Sequence, residues 1–183
     1  MNDEIPGSLS ALWELADELG HESLTDPLCI FEPVGLLLVR PLERWDYDCT
    51  PSNSLTFAQA GEDGIHFGLL TLEGGDPATA PVVMTVPTEA HDCNRIVAGD
   101  LDEFLAAGAI SGWLTLGRLV DEPDETFERL ATPDPDPWSE PEQLLASIRE
   151  RLAIEPVPLT AKRYDELQLT FGPAVVVERE GDE

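Results

Sequence analysis

Lysine is almost missing from this chain: Lys162 is the only one, and the other nine fixed cations are arginines. A surface so poor in positive charge cannot neutralise a phosphate backbone, so direct nucleic-acid binding is not expected. Cysteine is scarce too. Cys29, Cys49 and Cys93 are odd in number and show no CxxC spacing, which indicates neither a disulfide framework nor a zinc knuckle. Long hydrophobic runs are lacking. Stretches such as Gly35 to Val39 fall far short of the roughly 20 residues a membrane-spanning helix needs. The opening Met1-Asn2-Asp3-Glu4 is acidic and has no basic region followed by an apolar one, so no leader is expected and the cytoplasm is the expected location.

What the chain does have is apolar bulk and negative charge. Its 183 residues suit one domain, expected to span residues 1–183, and a hydrophobic fraction of 42% is that of a folding protein. Thirty-seven acidic residues face ten basic ones, a formal net charge of -27. Like charges at that density repel, and salt screens them over about 10 Å at 0.1 M and about 3 Å at 1 M. Two readings follow. One is adaptation to a salty cytoplasm, as in halophiles; the other is an acidic face made for a basic partner. They are compatible.

Periodicity places helices at both ends and strands between them. Leu9, Leu12, Trp13, Ala16 and Leu19 share one helical face, with Ser8 or Ser10 as cap and Gly20 as stop. Gly35 to Val39 predicts a buried strand ending at Pro41. Ser54 to Ala60 and Ile65 to Leu70 alternate around Gly61-Glu62-Asp63-Gly64 and predict a β-hairpin. Pro81 to Val86 reads as the next strand and Asn94 to Val97 as another. Asp100-Leu101-Asp102-Glu103 and Ser139-Glu140-Pro141-Glu142 are capping boxes, each opening a helix. A helix from Ser111 to Val120, a stiff acidic loop over Pro133 to Pro137, a short helix near Ala161 to Leu167, and a strand at Ala174 to Val177 complete the expectation. Segregated strands and helices predict an α+β fold, a central antiparallel sheet with helices from both ends of the chain packed on it.

Candidate chemistry is thin. His91 and Cys93 lie two apart, with His66 elsewhere; a thiol nucleophile with a histidine base is conceivable, but no local signature surrounds Cys93. Zinc held by the same three side chains lacks a fourth ligand, and a calcium loop built on Asp134, Asp136, Glu140 and Glu142 lacks the EF-hand glycine and terminal Glu. No metal or cofactor is expected. Gly61-Glu62-Asp63-Gly64 lacks the Lys-Ser/Thr of a phosphate loop and reads as a turn. Among the tryptophans, Trp13 and Trp113 fall on apolar stripes and read as core. Trp45, in Arg44-Trp45-Asp46-Tyr47-Asp48, sits in a polar setting and reads as either buried or a binding anchor.

Thr50-Pro51-Ser52-Asn53-Ser54-Leu55-Thr56-Phe57-Ala58, then Gly61-Glu62-Asp63-Gly64-Ile65-His66-Phe67, resembles a TP-x-NS-x-x-FA … GxDGxHF pattern of a bacterial branch of the SUKH superfamily. Pro81 to Pro87, Asn94 to Leu105 and Ser111-Gly112-Trp113 continue the likeness, which covers roughly Thr50 to Val120. Its motifs are turn glycines, sheet residues and a helix cap, so they speak to fold and bring no catalytic residues with them. The resemblance implies a non-catalytic protein-binding scaffold, in bacteria commonly an immunity protein that binds and blocks a toxin, and an acidic surface would suit a basic nuclease. The alternatives are a housekeeping interaction hub and a hydrolase using His66, His91 and Cys93. The expected contact surface is the segment Trp45, Asp46, Tyr47, Asp48 together with the hairpin tip, Glu62 and Asp63, because exposed loops on a rigid sheet carry binding residues.

Overall fold

The computed structural model describes residues 5–89 and 92–178. Five strands, β1 (Leu37–Glu43), β2 (Ser54–Gln59), β3 (His66–Leu70), β4 (Val82–Thr85) and β5 (Asn94–Ala98), form one antiparallel meander in the order β1-β2-β3-β4-β5. Helix α1 (Gly7–Ser23) precedes the sheet; α2 (Leu101–Gly108), α3 (Pro123–Leu130), α4 (Glu140–Leu152) and α5 (Ala161–Phe171) follow it. The fold is α+β, as the segregation of strands and helices predicts.

One face of the sheet is dry. Phe67, projecting from β3, and Phe57, from β2, meet Phe104 of α2 with ring centroids 5.0 and 5.4 Å apart, and Phe104 stacks on Trp113 at 5.8 Å. All four rings are buried, and the Trp113 indole N–H donates to the Phe104 carbonyl at 3.1 Å. The last residue of α2, Gly108, is a glycine for a steric reason: a Cβ there would lie 1.9 Å from the Trp113 ring. The Asp100 carboxylate accepts from Glu103 N–H as a capping box requires, while the Glu103 carboxylate turns back to Gly99 N–H and to the Arg163 guanidinium. Arg163 is the first cause holding the Glu103 carboxyl below the usual carboxylate range.

The free edge of β5 is closed by a side chain. Gln168 of α5 accepts from Ile96 N–H at 3.0 Å and donates to the Ile96 carbonyl at 2.6 Å, so its amide copies one residue of a sixth strand. Such cover removes a template for edge-to-edge association.

Four local expectations are corrected. Helix α1 begins at Gly7, with Pro6 at the cap position offering no side-chain bond and the Ser8 hydroxyl bonded to Asp102 instead, and it runs past Gly20 to Ser23, after which Leu24 takes the left-handed conformation. Strand β1 continues through Pro41, because the ladder to β2 is interrupted between Leu38 and Glu43 and asks no N–H of proline there. No α-helix spans Ser111 to Val120: Gly112 at φ +84 reverses the chain, Trp113 N–H bonds to the Val34 carbonyl, and only a 3-10 turn, Leu116–Leu119, remains. Ala174 to Val177 is not a strand. It lies against Asn53, whose side chain donates to the Ala174 carbonyl at 2.9 Å and accepts from Val176 N–H at 3.1 Å.

Candidate functional site

The opposite face of the sheet is polar at its hairpin end. Register sets His66 of β3 beside Thr85 of β4, and Thr85 beside Asn94 of β5, giving a row of three polar side chains across three strands. The β1–β2 connection folds over this row and is tied to it at two points. Asn94 donates to the Cys49 carbonyl at 2.9 Å while accepting from the Thr85 hydroxyl at 2.8 Å. One residue on, the buried Thr50 hydroxyl bonds to His66 Nε2 at 3.1 Å.

That second contact defines the imidazole. His66 Nδ1 lies 2.8 Å from the Gly64 carbonyl, which can only accept, so Nδ1 carries the proton and Nε2 accepts from Thr50. The ring is 1% exposed, and burial pushes its pKa below the ordinary histidine value. Both nitrogens are therefore used within the fold. A His66 base for a hydrolase would have to give up one of these bonds. Cys93 makes no hydrogen bond to His66 among the described residues, and His91 lies outside them.

Over the imidazole sit two aromatic rings. Trp45 is tilted against it at 5.1 Å between centroids, Tyr47 stacks on it at 5.6 Å and 20°, and the two rings are 6.1 Å apart. Trp45 is half-buried and Tyr47 is 40% exposed. The Tyr47 hydroxyl reaches the hairpin turn, 2.8 Å from where a Cβ on Gly64 would stand; Gly61 and Gly64, at φ +84 and +70, make that turn, and the missing side chain of Gly64 leaves room for the ring. The two stretches singled out in the sequence, Trp45 to Asp48 and Glu62-Asp63, are thus brought to one surface, with His66 as the hinge between them.

Acidic side chains outnumber basic ones on this surface, where Arg44, exposed beside Trp45, is the neighbouring cation. Asp46, Asp48, Glu62 and Asp63 are all exposed, and none forms an ion pair among the described residues. Arginines elsewhere are engaged: Arg40 with Asp17, Arg95 with Asp92, Arg149 with Glu142, Arg151 with Glu14 and Glu18, Arg163 with Glu103. A half-exposed aromatic pair accompanied by four carboxylates without ion pairs can accept a guanidinium or ammonium by charge pairing and by stacking on a ring face.

Thr85, Asn94 and Cys49 support the site, and nothing in the sequence groups them. They lie far apart in the chain and meet only through strand register, which no local pattern encodes. The acidic Pro133 to Pro137 loop is self-contained: Asp134 accepts from Asp136 N–H and the Ser139 hydroxyl, and Asp136 accepts from Trp138 N–H. No group of three or more metal-ligating side chains occurs among the described residues. At the other end of the sheet a cleft of about 100 Å³, lined by Ile5, Leu42, Leu55, Leu69, Leu72 and Pro77, is apolar. Asp76 borders it, but that carboxylate caps Ala78 N–H. No helix among the described residues is long and apolar enough to cross a membrane. No protein-family model matches the chain, and no curated protein matches it in sequence.

Proposed function

We propose that this protein is a non-catalytic protein-binding scaffold that captures a basic partner on the Trp45–Asp48 and Glu62-Asp63 surface. The observation that carries this reading is the aromatic pair at that surface, accompanied by four exposed carboxylates that form no ion pair among the described residues. Tryptophan and tyrosine anchor interfaces because they contribute large contact area at little loss of side-chain freedom. Unpaired carboxylates around them speed encounter with a positive surface and reject a negative one. The resemblance to SUKH proteins narrows the partner class to a basic toxin domain such as a nuclease, which would make the scaffold an intracellular immunity protein.

Net charge alone offers a second reading, in which the acidity serves hydration in a salty cell and the site has no special partner. The two separate in one experiment. Wild-type protein and a Trp45→Ala/Tyr47→Ala variant are used as bait in host lysate and co-culture extracts, at low and at high salt, with captured proteins identified by mass spectrometry. A single stoichiometric basic protein, lost in the variant and as salt rises, is the expected result. Several endogenous partners held equally by the variant would favour an interaction hub. No partner, together with a fold that persists only in molar salt, would assign the charge to the environment.

A further inference from the structure

The sequence separates Cys49 from Cys93, and the fold sets them side by side. Asn94, the neighbour of Cys93, holds the Cys49 carbonyl at 2.9 Å, and the Cys93 carbonyl accepts from Val86 N–H at 2.8 Å. Thr50, the next residue after Cys49, is buried and bonded to His66. Both backbones are therefore fixed at adjacent points, and the Cys49 thiol has the Cys93 thiol beside it. Both are free and half-buried, open to a small reagent. Cys29 is a contrast, placed after α1 between the Asp26 and Glu32 carboxylates.

We propose that Cys49 and Cys93 are an oxidisable pair that closes into an intramolecular disulfide, cross-linking the base of the Trp45–Asp48 segment to the start of β5. A small organic disulfide is sufficient oxidant. One cysteine thiolate attacks a reagent sulfur, breaking the reagent S–S bond and expelling one small thiolate. The second cysteine, deprotonated in turn, attacks the protein sulfur of the mixed disulfide and expels the other. One protein S–S bond replaces two S–H bonds, the two protons end on the two released thiols, and two electrons pass from protein to reagent. Burial first, and then the adjacent Cys93 thiol, push the Cys49 thiol up to about 11. Its thiolate is scarce at neutral pH, so closure is slow there and quickens as the solution becomes more alkaline. The cross-link would hold the aromatic segment against the sheet whatever the protein binds.

The test uses the reduced full chain at low concentration, incubated with oxidised glutathione, alkylated without reduction and mapped by peptide mass spectrometry. The expected product has lost about 2 Da, with the Cys49 and Cys93 peptides joined and Cys29 outside the linkage. Its melting temperature rises by roughly 5–10 °C, reversibly with a thiol reductant. Cys29→Ser should still link, and Cys93→Ser should not. Cys49 and Cys93 each recovered alkylated or each carrying glutathione, a linkage that needs Cys29, or a disulfide-bonded dimer would overturn the assignment.

Discussion

The two faces of the sheet are built by different physics. On the face under α2, Phe57, Phe67, Phe104 and Trp113 interlock with a single side-chain hydrogen bond among them, and the order of that region follows from packing. On the other face, His66, Thr85 and Asn94 form a polar row roofed by a loop, and order follows from a few directed hydrogen bonds. The dry face supplies stability. The polar face spends little apolar area and instead fixes where Trp45 and Tyr47 stand. A loop held to the polar row at two points, on a sheet held by its other side, is rigid enough to be specific and exposed enough to be reached.

The comparison can be broken most severely at Phe104. Phe104→Ala should cost about 3–5 kcal/mol in urea unfolding, because neighbouring rings cannot collapse into the space. A smaller change follows from Asn94→Ala, which frees the Cys49 carbonyl and the Thr85 hydroxyl: a loss of about 1–3 kcal/mol, with hydrogen exchange quickened over residues 45–50 and not in α2. Equal quickening in both places would mean that the two faces are one cooperative unit. Gln168→Ala tests the covered edge, with an expected loss of about 1–2 kcal/mol and concentration-dependent self-association by sedimentation.

The smallest effect is the pH dependence of the polar face. His66 has a folded-state pKa below its unfolded value, so between the two the unfolded chain binds the proton that the folded chain refuses. Its contribution is complete above the unfolded value of about 6.5 and is lost as pH falls through the folded value, by up to about 1.4 kcal/mol per pH unit. His66→Asn should remove that slope between pH 7.5 and 5.5 in parallel denaturant titrations. An unchanged slope would place the proton elsewhere.

Local chemistry made much of the fold legible. The glycine-flanked turn at Gly61 to Gly64, the capping residues Asp100 and Ser139, and the apolar runs of β3 and β4 all act over a few residues. Misses came where tertiary contacts override local preference. Trp113 is drawn to Phe104 and Gly108, which unwinds the helix its neighbours would favour. Ala174 to Val177 meets a side-chain amide where a strand partner was expected. Helix α3, not among the elements expected from periodicity, carries a readable signal in Pro123 at its start, Asp124 and Glu125 in its first turn and Arg129 in its last. For the site, Trp45 to Asp48 and Glu62-Asp63 could be nominated from polarity and turn chemistry. Their meeting over His66, and the pairing of Cys49 with Cys93, depend on register between strands far apart in sequence.

The central claim is that binding resides at one acidic aromatic surface and not in charge at large. The most direct measurement compares affinity for the captured partner between two variants of equal net charge. One carries Asp46→Asn, Asp48→Asn, Glu62→Gln and Asp63→Asn; the other neutralises Asp121, Asp124, Glu125 and Glu128 in and beside α3. A loss of tenfold or more confined to the first variant, through slower association and faster release, is the predicted result. Equal losses in both would contradict the claim and leave the negative charge acting only as a diffuse field.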